Sequence, residues 1–101
     1  MQMDFAVCEH LSRKARHELL AFLLDKLRLK AAVAARIGVS EVAVRKWLLC
    51  MTYPSNAHLK ELLDIAFELD VKSTFEIIRR DLDEFSRAID EWSKLFQISG
   101  D

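Results

Sequence analysis

Glycine and proline together fill only three of the 101 positions of this chain, two Gly and one Pro. That scarcity narrows its possible folds more than any other feature. β-Hairpins reverse direction through Asn-Gly, Asp-Gly or other glycine-rich turns. No Asn-Gly or Asp-Gly pair occurs here, and no alternating apolar/polar run is bounded by turn residues. A sheet architecture is therefore disfavoured, and the chain is expected to be all-α. With 51% of its residues apolar, it can bury a real core as one small domain: a bundle of four or five helices, extended by a long amphipathic helix at its C-terminal end.

Apolar residues that recur every three or four positions mark the helices. Residues 1–11 carry no clear period and are expected to be partly ordered at best. A first helix runs from about Arg13 to Leu27 with Ser12 as its N-cap. Its apolar set (Ala15, Leu19, Leu20, Phe22, Leu23, Leu24 and Leu27) is wider than one stripe, so it buries more than one face. A second helix covers about Lys30 to Ile37 and a third runs from Glu41 to about Leu49. After the Pro54-Ser55 boundary, Ser55 caps a fourth helix whose apolar face is Leu59, Leu62, Leu63, Ala66 and Leu69. Val71-Lys72 links to a fifth helix, opened by a capping box Ser73-x-x-Glu76 and ended by Ser99-Gly100. The chain thus divides into an N-terminal segment (1–11), a compact helical domain (12–71) and a C-terminal helix (72–101).

Charge is distributed unevenly along this plan. The formal net charge is only -1. Residues 12–60, however, hold ten bases against three acids, a net +7, whereas from Glu61 onward eleven acids face five bases. The split points to a basic working surface and an acidic part with another task. The start of the chain lacks a basic segment followed by an apolar one, and the densest apolar run, Leu19 to Leu24, is far too short to span a bilayer. Cys8 and Cys50 form no close-spaced pair. A cytoplasmic protein with free thiols and no membrane association is the expectation.

One of the two glycines stands in the stretch AARIGVSEVAVRKWL, residues 34–48. Two helices joined by a tight bend need a residue that accepts positive φ where they part, and Gly38 does so without steric cost. Ser40 then caps the next helix. Val33, Ile37, Val39, Val44, Trp47 and Leu48 supply the apolar positions on both sides, and the small Ala34 lets the helices cross closely. This is a helix-turn-helix pattern.

The pattern Ala34, Gly38-Val39-Ser40, Val44 and Trp47, followed by Pro54-Ser55 and a helix ending in Leu69-x-Val71, resembles helix-turn-helix domains of the Cro and lambda-repressor type, also called the xenobiotic-response-element family. It spans about residues 19–71. Two features depart from that family: Leu27-Arg28-Leu29-Lys30 stands where Gly-x-Ser-Gln is common, and Leu48-Leu49-Cys50-Met51 replaces a polar, glycine-containing loop. The resemblance implies that the second helix of the motif enters the major groove of double-stranded DNA. By position, Ser40, Glu41, Val42, Arg45 and Lys46 then face the bases and phosphates. Arg45 or Lys46 would bond guanine, Val42 would touch a thymine methyl and Glu41 would accept from cytosine, or Glu41 would simply favour the helix N-terminus. Lys30 would add its charge to a helix N-terminus facing a phosphate, and Arg36 would touch backbone. Trp47 reads as core.

Other chemistry is thin. Cys8, Glu9, His10, Cys50 and His58 lack the two close pairs of a zinc site, so no metal is expected, and no cofactor. His17 reads as a surface residue. No nucleophile, phosphate loop or paired-acid motif is present, and no catalytic residue is assigned.

Phe75, Ile78, Leu82, Phe85, Ile89, Trp92 and Phe96 are spaced alternately by three and four residues, an a/d heptad seam over three repeats. Glu76/Arg80, Asp83/Arg87 and Asp90/Lys94 would pair along its outward face. Such a seam either folds back on the preceding helices or, the favoured reading, joins copies of the chain into a homodimer or higher oligomer. With Ser86, Ala88 and Ser93 as small flanks, an antiparallel or four-helix arrangement is as compatible as a parallel zipper. The sequence as a whole points to a DNA-binding regulator of transcription. An antitoxin-like or adaptor module with a protein partner at residues 48–51 is the main rival, and an architectural or recombination accessory a third reading.

Overall fold

Three serines set the starts of three helices. The hydroxyls of Ser12, Ser40 and Ser55 accept from the backbone N–H groups of Ala15, Ala43 and His58 at 3.1, 3.1 and 3.3 Å, each satisfying a donor that the first helical turn leaves without a partner. The computed structural model describes residues 5–96. Among these it shows six helices and no strand: α1 (Phe5–His10), α2 (Arg13–Leu27), α3 (Lys30–Ile37), α4 (Glu41–Leu48), α5 (Asn56–Leu69) and α6 (Val71–Phe96). None of them is long and apolar enough to cross a membrane. The expected ends of the first four long segments agree with α2 to α5 within a residue.

The breadth of the apolar set on α2 is explained by its neighbours, since α2 lies against α3, α4, α5 and α6. Leu19, Leu20 and Leu23 of α2, Val33 of α3, Val44 of α4 and Leu59, Leu62, Leu63 and Ala66 of α5 are all fully buried. The core continues into α1, which docks on α5. Cys8 is fully buried there and Leu11 nearly so. Residues 5–10 thus form a helix that their lack of period did not announce: six residues are too few to display a repeat.

Arg16 makes that docking possible. Its Nε donates to the carbonyl of Leu11 (3.3 Å), one terminal nitrogen to the carbonyl of Pro54 (2.7 Å), and the other to the carbonyl of Cys8 and the side-chain oxygen of Asn56 (2.9 Å each). A planar guanidinium suits such a fork of four acceptors.

The start of α6 corrects the expected capping box. The helix begins at Val71, so Ser73 lies inside its first turn and Glu76 beyond it. The cap is Asp70. Its Oδ1 accepts from the N–H of Ser73 at 3.0 Å and its Oδ2 from the hydroxyl of Ser73 at 2.8 Å, while its own N–H closes α5 on Ala66 at 2.9 Å. Thr74 completes the joint by donating its hydroxyl to the Asp70 carbonyl at 2.7 Å. One residue therefore ends one helix and starts the next.

Along α6 the apolar seam has two fates. Thr74 is fully buried, Ile78 is 7% exposed, and Phe75 meets Phe67 edge-on at 4.9 Å. Ser12 donates its N–H (3.0 Å) and its hydroxyl to Asp81, Lys14 pairs with Glu84 at 3.1 Å, and Arg80 pairs with Glu18. Beyond Glu84 the helix projects from the body. The radius of gyration, 15.6 Å, exceeds the ~13 Å of a compact chain of this length because of that projection. Arg80 turns to α2 rather than to Glu76, and among the described residues none of the three expected pairs along α6 forms.

The break between α2 and α3 is made without a capping side chain. Leu29 is extended and offers no side-chain bond, and Arg28 takes a φ of 73° with its N–H on the Leu24 carbonyl. A left-handed φ costs an L-residue about 1 kcal/mol that glycine avoids. Arg28→Gly should therefore raise the unfolding free energy by up to about 1 kcal/mol, net of glycine's extra unfolded-state entropy, as read from urea titration. Asp70 generates a second expectation. Its hydrogen bonds from Ser73 hold its carboxyl below the usual range. A carboxyl depressed on folding contributes stability that is complete above its ordinary value, ~3.9, and is lost as pH falls through the depressed one. Asp70→Asn should keep the cap at neutral pH and flatten the acid limb of a stability-versus-pH curve, and an unchanged acid limb would show that Asp70 does not contribute to it.

Candidate nucleic-acid interface

Between α3 and α4 the chain turns on Gly38, whose φ of 86° and ψ of 36° lie in the left-handed region. The N–H groups of Gly38 and Val39 both donate to the Ala34 carbonyl, at 2.8 and 3.0 Å, closing α3. Ser40 restarts the helix two residues later. The expected helix-turn-helix geometry is therefore present: two eight-residue helices and a bend held by backbone bonds.

The phase of α4 is set by Val44, fully buried, and Trp47, 6% exposed and tilted against the ring of His58 at 5.6 Å. Trp47 is core. The opposite face carries Glu41, Val42, Arg45 and Lys46, all exposed, with exposed Ser40 at its start. Lys30, Glu41, Val42 and Arg45 line one shallow depression of about 250 Å³, so the N-terminus of α3 and the outer face of α4 form a continuous surface. Arg36 does not join it: its guanidinium pairs with Glu68 of α5 at 3.1 Å.

The fate of the ten bases in residues 12–60 separates scaffold from surface. Arg16 is bonded into the body. Arg13 lies over the Tyr53 ring at 4.9 Å and Lys26 over Phe22 at 5.7 Å. Lys14, Arg36 and Lys60 pair with Glu84, Glu68 and Asp64. Arg28, Lys30, Arg45 and Lys46 remain, with no side-chain hydrogen bond, ion pair or ring contact among the described residues. All four lie on the motif or on the approach to α3.

One feature was not legible beforehand. His17 is half-buried rather than superficial, and its Nε2–H donates to the Leu48 carbonyl at 3.1 Å, closing the end of α4. The stretch after α4 neither extends the helix nor folds inward: Cys50 takes a φ of 58°, and Leu49 and Met51 stand 63% and 65% exposed. The two thiols differ accordingly, Cys50 being exposed while burial pushes the Cys8 thiol above its ordinary range. Among protein families, curated proteins and solved structures, none matches this chain.

Proposed function

We propose that this protein is a sequence-specific regulator of transcription that binds double-stranded DNA as a dimer, with α4 in the major groove. The observation that carries this reading is the charge partition: the bases of the positive segment that have no partner among the described residues gather on the helix-turn-helix and its approach. Six of the ten are engaged in the fold, which leaves the motif and its approach as the available cationic surface of residues 12–60. Val42, 49% exposed between Glu41 and Arg45, adds an apolar contact suited to a thymine methyl. Lys30 at the start of α3 suits a phosphate, and Arg45 suits bidentate contact with guanine. Dimerisation through α6 would let two such motifs read half-sites about one helical turn, ~34 Å, apart. A protein-interaction module is the second reading, favoured by the exposed Leu49 and Met51.

Selection of binding sites from random duplexes, followed by titration at two salt concentrations, tests the proposal. If Arg28, Lys30, Arg45 and Lys46 each neutralise one phosphate, the logarithm of the binding constant should fall against log salt with a slope of about -3.6 per protomer. Lys30→Ala should weaken all duplexes alike and reduce that slope by about 1, whereas Arg45→Ala should cost about 1–3 kcal/mol and relax preference at one base position. Equal, sequence-blind losses in both variants would favour an architectural role. No binding to any duplex at low salt would favour the protein-interaction module.

A further inference from the structure

Residues 85–96 of α6 leave the body with an uncovered apolar face. Phe85, Ile89, Trp92, Leu95 and Phe96 are 68%, 41%, 61%, 77% and 74% exposed. At ~150–250 Å² for each large side chain, covering them removes roughly 600 Å² per protomer, or about 1,200 Å² for a pair of copies, which reaches the size of a stable specific interface. The flanks of the seam carry no charge: Ala88 and Leu95 border it on one side, Ser86 and Ser93 on the other. The charged residues Asp83, Arg87, Asp90 and Lys94 lie on the outward face of the helix. Such a face offers no ionic group to select an unrelated partner, and it is complementary to itself.

We propose that a second copy covers this face with the same segment, running antiparallel. This deepens the reading that α6 makes the protein a dimer and is independent of whether the motif binds DNA. The body dictates the direction. Ile78, Phe85 and Trp92 follow one another at heptad intervals and so lie on one side of the helix. Ile78 on that side is buried where α6 packs on α2 and α5. A parallel partner laid along residues 85–96 would carry its own docked half, residues 71–84, into the volume that α2 and α5 occupy. An antiparallel partner places its tip beside this body and its own body beyond this tip.

The seam also sets the register. Residues 85–96, ~18 Å along the axis, set each seam residue against another when Phe85 lies opposite Phe96 of the second copy. Ile89 then meets Trp92 and Ala88 meets Leu95, each a smaller side chain against a larger one, while Phe85 meets Phe96 and Ser86 meets Ser93. A parallel seam would instead set Trp92 against Trp92. Phe96 of the incoming helix arrives where Phe85, Glu84, Leu11 and Ser12 border an open depression of about 530 Å³ between α6 and the start of α2. The contact thus reaches the edge of the other protomer's body.

Pulsed electron paramagnetic resonance distances test the arrangement, in protein without DNA at tens of micromolar. The background is Cys50→Ser, since Cys50 is the exposed thiol and Cys8 is buried. Spin labels are placed singly at Glu76→Cys and Asp90→Cys, both exposed positions. In the antiparallel register the two copies of residue 76 lie ~29 residues, hence ~44 Å, apart along the helix axis, while the two copies of residue 90 lie ~1.5 Å apart along it. A long distance at residue 76 with a short one at residue 90 is expected. Trp92→Asp should sediment as a monomer with an unchanged circular dichroism spectrum, because Trp92 is 61% exposed and belongs to no part of the buried core. Short distances at both labels would overturn the antiparallel arrangement and leave the dimer standing. A wild-type protein that sediments as a monomer would overturn both, and the duplex titration reports on DNA binding separately.

Discussion

A single guanidinium joins four parts of this protein that are separate in the chain. Arg16 faces the carbonyls of Cys8, Leu11 and Pro54 and the side chain of Asn56, so it joins the end of α1, the turn into α2, the loop after α4 and the first residue of α5. The carbonyls of Leu11 and Pro54 lie between helices and that of Cys8 in the last turns of α1, where backbone acceptors run short of helical donors, although Cys8 also accepts the Leu11 N–H at 3.3 Å. The positions of α5 and α2 are set against each other by this contact and by their leucines. From α5, Glu68 reaches Arg36 on α3 and the His58 ring supports Trp47 on α4. The presentation of the motif is thus inherited from a residue that does not touch it. Removing the guanidinium would leave part-buried carbonyls short of donors, a loss not repaired by local rearrangement.

The same economy explains the surface. An abundance of basic residues in one segment does not by itself define a binding face, because charges within a helical body find acids, carbonyls and rings on neighbouring helices. Six of the bases in residues 12–60 do so. The cations left over have no ion-pair partner among the described residues, though Glu41 lies beside Lys30 and Arg45, and their charge remains directed toward solvent, where a polyanion would meet it. Surface ion pairs such as Lys14 with Glu84 contribute little stability individually, yet they remove charge from the faces that bear them and so sharpen the contrast with the motif.

Much of the architecture was legible because it depends on short-range chemistry. Ser12, Ser40 and Ser55 mark helix starts through bonds three residues long, and Gly38 marks a bend by its own backbone freedom. The outward face of α4 followed from its phase relative to Val44 and Trp47. What escaped depends on distant partners. Arg16 was counted with the basic surface because its acceptors at Cys8 and Pro54 lie 8 and 38 residues away. Ser73-x-x-Glu76 has the form of a capping box, but Asp70 caps the helix three residues earlier, where the close of α5 and the burial of Thr74 and Ile78 place the joint. The 3–4 spacing of the seam was visible; the point along it where the body stops supporting it depends on the length of α2.

The joint at Asp70 has a mechanical consequence. With a single residue between two helices, and with both oxygens and the N–H of that residue engaged, there is no slack in which α6 can turn independently of α5. The first half of this 26-residue helix is docked, and the twelve residues beyond Glu84 form a lever ~18 Å long. A rotation of ~5° where they leave the body would sweep Phe96 through ~1.5 Å over that length, a sizeable part of a side-chain contact. The stiffness of one capped aspartate, together with the clasp of α6 on α2, therefore governs how accurately the far end of the molecule is aimed.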